Sequence, residues 1–381
     1  MRVPRLTDGV VTLRAHTEDD VERIVEQCAD PTSIAWTIVP VPYTRDDAKQ
    51  FVRHVMPGGW ASDQEWGFAV EHDGRFAGTV SLRNHGDGRG EIAYGSHPEV
   101  RGRGVLSRAL RLLLEWGFSP AEQGGAGLVT VLWLSNAGNL ASRRLAWSVG
   151  FSFDGTLQGW LNHRGEMVDA WAGTLRRGAQ LSPCRPWLES PTIRGDAVVL
   201  RRLAERDLPR IVETLEDPET QFWLRRPREG APHTLENEAG FVARRLADAA
   251  DGRAVHWAVA DPHTDTYLGQ VSLFDVEHRR QAEVAYWTHP DARGRGITSE
   301  ATRLVVRHCF VPVEDGGLGM ARLTVNAAVG NLASHRVIEQ AGFRRVGVQR
   351  STIPLGDGTW ADSVDYDLLA AELTRADPLP D

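Results

Sequence analysis

Downstream of Gly104, Leu106, Leu110, Leu113 and Leu114 recur at i, i+4, i+7 and i+8, the spacing of a long amphipathic helix. Ahead of it, Glu91-Ile92-Ala93-Tyr94 reads as a strand, and Arg101-Gly102-Arg103-Gly104 joins strand to helix. The same passage is written again further on. EIAYGSHPEVRGRG starts at Glu91 and EVAYWTHPDARGRG starts at Glu283, a displacement of 192 residues. NLASRR from Asn139 and NLASHR from Asn331 keep that displacement, as do Gly150-Phe151 and Gly342-Phe343. Upstream it slips slightly: Gly78-Thr-Val-Ser-Leu pairs with Gly269-Gln-Val-Ser-Leu, and Leu13-Arg14 with Leu200-Arg201. Three separated motifs in one register, with short slips between, describe a duplicated domain of about 180 residues, too long for a solenoid repeat.

Each copy predicts the same order of elements. A strand (Val10–Arg14; Val198–Arg201) leads to a helical stretch (Asp19–Cys28; Asp207–Leu215). A proline-bearing apolar loop, Ile34–Tyr43, follows in copy one, and its counterpart carries Trp223. A second helix is expected over Arg45–Val55 and Leu235–Leu246, then two hairpin-like strands, the EIAY or EVAY strand, the long helix and another strand. A helix opened by Asn139 or Asn331 and closing strands complete the copy. Runs of strands mixed with helices predict a mixed α/β (α+β) fold, not a doubly wound sheet. Proline-punctuated Leu181-Ser-Pro-Cys-Arg-Pro-Trp places a linker at 181–191, between domains at 1–180 and 192–381.

Composition removes several functions. The 381 residues carry 43 basic and 51 acidic side chains, a net charge of −8, which argues against a whole-protein nucleic-acid footprint. Three scattered cysteines, Cys28, Cys184 and Cys309, form neither a disulfide framework nor a CxxC metal site. No apolar run approaches ~18 residues and the N-terminus lacks a signal h-region, so a cytoplasmic protein without membrane association is expected. Thirteen tryptophans are more than a core of this size suggests, and some are expected to line a site.

The strand–RGRG–helix passage is a phosphate-binding geometry. First-turn N–H groups of a helix lack internal partners, and the dipole places partial positive charge there. GK[ST] is absent, so this is no Walker A loop, and the third glycine of GxGxxG is missing. Arg-x-x-Gly-x-(Gly/Ala) after a strand, then Asn-x-x-Ser with Gly-Phe eleven residues beyond the Asn, resembles the GNAT superfamily. Within it the likeness is to the ribosomal-protein alanine acetyltransferase (RimJ/RimL-like) branch. The resemblance implies two tandem domains, each a bent mixed β-sheet flanked by helices, with acetyl-CoA or another acyl-CoA as co-substrate and no metal.

By the same resemblance the pyrophosphate lies on Arg293, Gly294, Arg295, Gly296, Ile297, Thr298 and Ser299, and in copy one on Arg101, Gly102, Arg103 and Gly104. The pantetheine arm follows the EVAYWT strand. Asn331 and Asn139 either cap their helices or bond that arm. Glu283 and Glu91 stand where the branch places its general base, and Ser334 and Ser142 replace the tyrosine acid of other GNAT enzymes, whose position holds Ile338 and Ala146. Leu106 against Thr298, and Gly95 against Trp287, make the C-terminal copy the expected catalytic one. His97, His289, Asp169 and Asp362 read as structural, Arg144 and Arg336 as phosphate contacts or solvated charges, and Trp36 and Trp223 as core or acceptor-pocket walls.

The resulting expectation is acyl-CoA-dependent N-acylation, acetyl by default and longer chains allowed, of an amine, with a peptide or protein N-terminus favoured. An acyl carrier protein is an alternative donor, and the oligomeric state is not legible. A non-catalytic acyl-CoA sensor or scaffold, and an antibiotic or small-molecule N-acetyltransferase, are the competing readings.

Overall fold

The computed structural model describes residues 3–224, 232–276 and 280–373. The chain divides into two compact units, Met1–Cys184 (unit 1) and Arg185–Asp381 (unit 2). Leu188 and Pro191, inside the segment read as a linker, hydrogen-bond to Ala249 and Trp257 of unit 2.

Each unit holds one eight-stranded sheet, and the two sheets share a topology: six strands adjacent in chain order, then the last two exchanged. One pairing per sheet is parallel. In unit 1 it joins Arg89–Ser96 to Thr130–Asn136, and in unit 2 Gln281–Thr288 to Arg322–Ala328. Parallel neighbours need a crossover, and the helices Val105–Phe118 and Ile297–Phe310 supply it.

The parallel pairing is short. In unit 1 it runs from Arg89↔Thr130 to Ile92↔Trp133 and stops, although both strands continue for three or four more residues. In unit 2 it stops at Glu283↔Thr324. Beyond those points the two strands splay, so each sheet opens into a cleft along one strand edge.

The helix Val105–Phe118 buries Val105, Ala109, Leu110, Leu113, Leu114 and Trp116 on the sheet. Leu106 is only half-buried, because the helix starts directly after Gly104 and Val105 takes the first inward position. Trp60, Trp66, Phe68 and Trp116 stack with ring centroids 5.2–5.6 Å apart, so these three tryptophans are core.

Two stretches depart from the sequence reading. Within the expected loop Ile34–Tyr43 a helix, Pro31–Trp36, extends to Trp36, because Asp30 caps it by accepting from the Ser33 N–H. Its counterpart is Pro218–Leu224. The second helix of unit 2 starts not at Leu235 but at Phe241, after Gly240 in the left-handed region (φ 82°), and runs to Ala250. In unit 1 it starts at Arg45, passes through a π turn at Phe51–Val55 and resumes as Met56–Ala61.

Candidate active site

The glycine-arginine bend sits at the mouth of the cleft. Gly104 and Gly296 are the N-cap residues of the two crossover helices, at φ 74° and 73°, and offer no capping side chain. Gly102 and Gly294 share the left-handed conformation at φ 72°. A β-carbon on Gly102, Gly294 or Gly296 would meet nothing within 4 Å, so these glycines are required by backbone conformation and leave open space beside the first-turn N–H groups. That is a fit for diphosphate oxygens.

The arginines of the bend fall into two kinds. Arg101 pairs with Asp30 at 2.7 Å and donates to Ser33 Oγ at 3.0 Å. Arg293 pairs with Asp217 and Glu219 and donates to Thr220 Oγ1 at 2.8 Å. Arg101 thereby holds the Asp30 carboxyl below its ordinary range. Burial alone would raise Asp217, but hydrogen bonds from Arg293 and Thr220 bring it below that range. Both arginines anchor the bend to the capped helices Pro31–Trp36 and Pro218–Leu224. Arg103 and Arg295 are exposed, with no ion-pair partner among the described residues, so they carry the free charge at the bend. Ile297 and Ser299 have buried side chains, while Thr298 Oγ1 bonds Thr288 Oγ1 across the bend.

The carboxylates stand where the strands part. Alternation puts Glu91, Ala93 and Gly95 on one face of their strand and Ile92 and Tyr94 on the other. Glu91 accepts from Arg83 Nη1 at 2.7 Å, and His85 Nε2 lies 3.3 Å away. Glu283 accepts from Asn326 Nδ2 at 2.8 Å, and Phe274 replaces the arginine opposite it. Asn326, which has Leu134 at the matching place in unit 1, is thus one partner of the unit 2 carboxylate.

On the opposite face, Asn139 and Asn331 cap the helices Leu140–Ser148 and Leu332–Gln340, each Oδ1 accepting from the serine N–H three residues on at 3.0 Å. That fixes Ser142 and Ser334 in the first turn. Tyr94 OH lies 2.9 Å from Ser142 Oγ, and Tyr286 OH 2.8 Å from Ser334 Oγ. Burial pushes both phenols well above the ordinary tyrosine value, so each stays protonated. Sequence reasoning missed this tyrosine–serine pair. Its signal was present in the alternation that turns Tyr94 and Tyr286 away from the glutamates. In unit 1 Trp133 Nε1 also donates to Ser142 Oγ at 3.1 Å, whereas unit 2 has Val325 at that position.

Around the entrance, the indole of Trp36 reaches to 3.7 Å from where a β-carbon on Gly138 would stand, and that of Trp223 to 3.4 Å from the one on Gly330. Both tryptophans wall the loop that precedes the capping asparagine. In unit 1 Arg164, at the turn of the last hairpin, points Nη2 at the carbonyls of Ile34, Thr37 and Val39 at 3.1–3.2 Å. Asp169 and Asp362 accept from the N–H groups of Gly159 and Ser351 and pin the bulge of that hairpin. His97 and His289 are buried turn residues, bonded to Glu26 and Glu213 at 2.9 Å.

A family model for the acetyltransferase (GNAT) domain matches residues 11–152 and again 197–344. The chain belongs to the GNAT acetyltransferase family. It carries the family domain twice, and each copy of this GNAT chain contains one of the clefts described above. YjcK of Bacillus subtilis (strain 168), a probable N-acetyltransferase, is 31% identical over 132 residues, 34% of this chain and 70% of YjcK. YdaF of the same organism, named as a candidate ribosomal N-acetyltransferase, is 31% identical over 108 residues, 28% of this chain and 53% of YdaF. Among solved structures, Mycobacterium smegmatis RimJ in complex with CoA-disulfide is 23% identical, with 49% of this chain and 89% of RimJ covered and a TM-score of 0.42. No described helix is long and apolar enough to cross a membrane.

Proposed function

We propose that unit 2 of this GNAT acetyltransferase transfers an acyl group, acetyl by default, from CoA to an amine, and that a peptide or protein N-terminus is the acceptor. The observation that carries the reading is the strand splay beginning at Glu283 beside a glycine-capped helix N-terminus. Acyl-CoA, when bound, supplies an activated thioester; the rest of the chemistry falls to the chain. Gly294, Arg295, Gly296 and the N–H groups of Ile297, Thr298 and Ser299 hold the diphosphate. Glu283 takes the proton from the acceptor ammonium. Backbone N–H groups of the splayed strand polarise the carbonyl. Ser334, backed by the protonated Tyr286, hydrogen-bonds the departing sulfur. A terminal amine, with a reference pKa of about 7.7–8.0, asks far less of that base than a lysine near 10.4. The name of YdaF points to the same kind of acceptor.

Unit 1 is proposed as a donor-binding copy without turnover. Trp133 Nε1 donates to Ser142 Oγ, a bond that Val325 cannot supply to Ser334 in unit 2, and Gly95 replaces Trp287 on the strand. Calorimetry with acetyl-CoA, followed by thiol release over a panel of N-terminal peptides, lysine peptides, polyamines and aminoglycosides, tests both proposals. Two binding events, with release that Glu283→Gln abolishes and Glu91→Gln does not, are expected. Release only with aminoglycosides would overturn the peptide acceptor, and binding without any release would overturn catalysis.

A further inference from the structure

A recess of about 330 Å³ lies in unit 1 at the turn joining the strands Glu65–His72 and Arg75–Asn84. Phe76, Ala77 and Val100, all buried, give it an apolar floor. Around that floor stand three arginines, Arg23, Arg75 and Arg103. Arg23 is spent within the fold: its Nε donates to the Phe76 carbonyl at 2.6 Å and its Nη2 to Glu99 Oε2 at 2.8 Å. The other acid of the recess, Asp73, lies 3.4 Å from His72 Nε2. Arg75 and Arg103 are exposed, and neither guanidinium has a hydrogen-bond or ion-pair partner among the described residues. Glu99 is held below the ordinary carboxylate range first by the hydrogen bond from Arg23 and also by the charge of Arg75, so the Arg75 charge acts into the same space.

Unit 2 keeps only part of this arrangement. Arg210 donates to Asp291 at 2.8 Å, as Arg23 does to Glu99, and Arg295 matches Arg103. The strand turn differs. His72 pairs in register with Arg75, whereas at the same place in unit 2 the Asp261 N–H donates to the Thr266 carbonyl. An arginine is thus exchanged for a threonine and an imidazole for a carboxylate, so only unit 1 gathers two uncommitted arginines there. We propose that this recess binds a phosphomonoester dianion, as a site separate from the donor cleft. Two free guanidinium forks match the charge and the several oxygens of such a group. The apolar floor takes a small organic part, and a volume at the lower end of the ~300–1,000 Å³ usual for ligand sites keeps that part small. The donor cleft opens between Arg89–Ser96 and Thr130–Asn136. The recess lies across Arg89–Ser96 from it, at the end of the other neighbouring strand, Arg75–Asn84. No residue lining it follows Gly104, so the first-turn N–H groups of the helix Val105–Phe118 lie outside it, and Arg103 alone belongs to both bend and recess.

A phosphorus NMR titration of the full chain tests the site, with inorganic phosphate as the probe. The chain is first saturated with 3′-dephospho-CoA, which fills donor clefts without bringing a phosphomonoester. Phosphate should bind saturably, and Arg75→Thr should weaken it about tenfold, the loss of one charge-assisted contact. Arg75→Lys, which keeps the charge without the fork, should fall between the two. Arg75 has no side-chain partner to lose, so the urea midpoints of both variants stay at that of the parent. Arg75→Thr with His72→Asp, the pair found in unit 2, should weaken phosphate further still. No saturable binding to the parent, an affinity within about twofold of the parent in Arg75→Thr, or acetate displacing phosphate at equal concentration overturns the site. Saturation with CoA in place of 3′-dephospho-CoA settles whose phosphate the recess takes. Phosphate that still binds supports a separate site, whereas phosphate expelled by CoA means that the donor's own 3′-phosphate fills the recess, and overturns it. The readout needs no turnover, so it stands apart from the outcome of the thiol-release assay.

Discussion

His16 makes unit 1 sensitive to acid in a way that can be worked out from its surroundings. Burial pushes its imidazole down to about 4, while Asp20 and Arg14 pull in opposite directions. The unfolded chain binds that proton near 6.5, so between the two values only the unfolded state is protonated. A depressed folded value means the contribution is intact above pH 6.5 and is lost as pH falls toward 4. The loss is about 1.4 kcal/mol at pH 5.5 and about 2.5 kcal/mol at pH 4.5. His16→Leu, which installs the residue unit 2 carries as Leu203, removes it. Urea unfolding of both proteins at pH 7.5, 5.5 and 4.5 reads the difference, because carboxylates such as Asp20, and the buried His256 and His308 of unit 2, titrate in both. The two stabilities should converge or cross in favour of the leucine variant by those amounts as the pH falls. A gap that stays constant across the three pH values would refute a neutral buried imidazole at this position.

Three further outcomes follow from the site. Glu283→Gln should lower kcat by at least about 100-fold while leaving the CoA dissociation constant within about threefold, checked by thiol release and calorimetry. Arg293→Gln should cost about 1–3 kcal/mol of stability by leaving Asp217 and Glu219 without their cation, with little change in CoA affinity; Arg295→Gln should do the reverse, and denaturation and titration of the two variants separate the roles. Tyr286→Phe should leave Ser334 in place on its Asn331 cap yet lower kcat about three- to tenfold without raising KM, read in steady-state assays on peptide acceptors.

Much of this was legible in the letters. The 192-residue displacement identified two copies, and the strand–RGRG–helix phrase located the bend, because backbone glycines in a fixed local turn need no tertiary information. Asn139 and Asn331 were also readable as caps, since the serine they bond is three residues away. What could not be read depends on partners distant in sequence. The letters offered Arg101 and Arg293 as phosphate ligands but not their ion pairs with Asp30 and Asp217, more than 70 residues upstream. Tyr94 and Ser142 are 48 residues apart and meet only because the strand and the capped helix lie on one side of the sheet. The start of the helix at Phe241 escaped because the apolar spacing after Leu235 is compatible with a helix, and Gly240 ends that possibility through its backbone alone.

The reach of Arg164 onto three carbonyls has a kinetic consequence. Ile34, Thr37 and Val39 bracket the segment that carries Trp36, and one nitrogen gathers all three. Two hydrogens serve three acceptors, so loss of any one carbonyl leaves the other two fully bonded, and the segment is freed only when the guanidinium itself withdraws. It should therefore release as a block, and amide exchange across residues 34–39 should proceed at one common rate instead of a graded series.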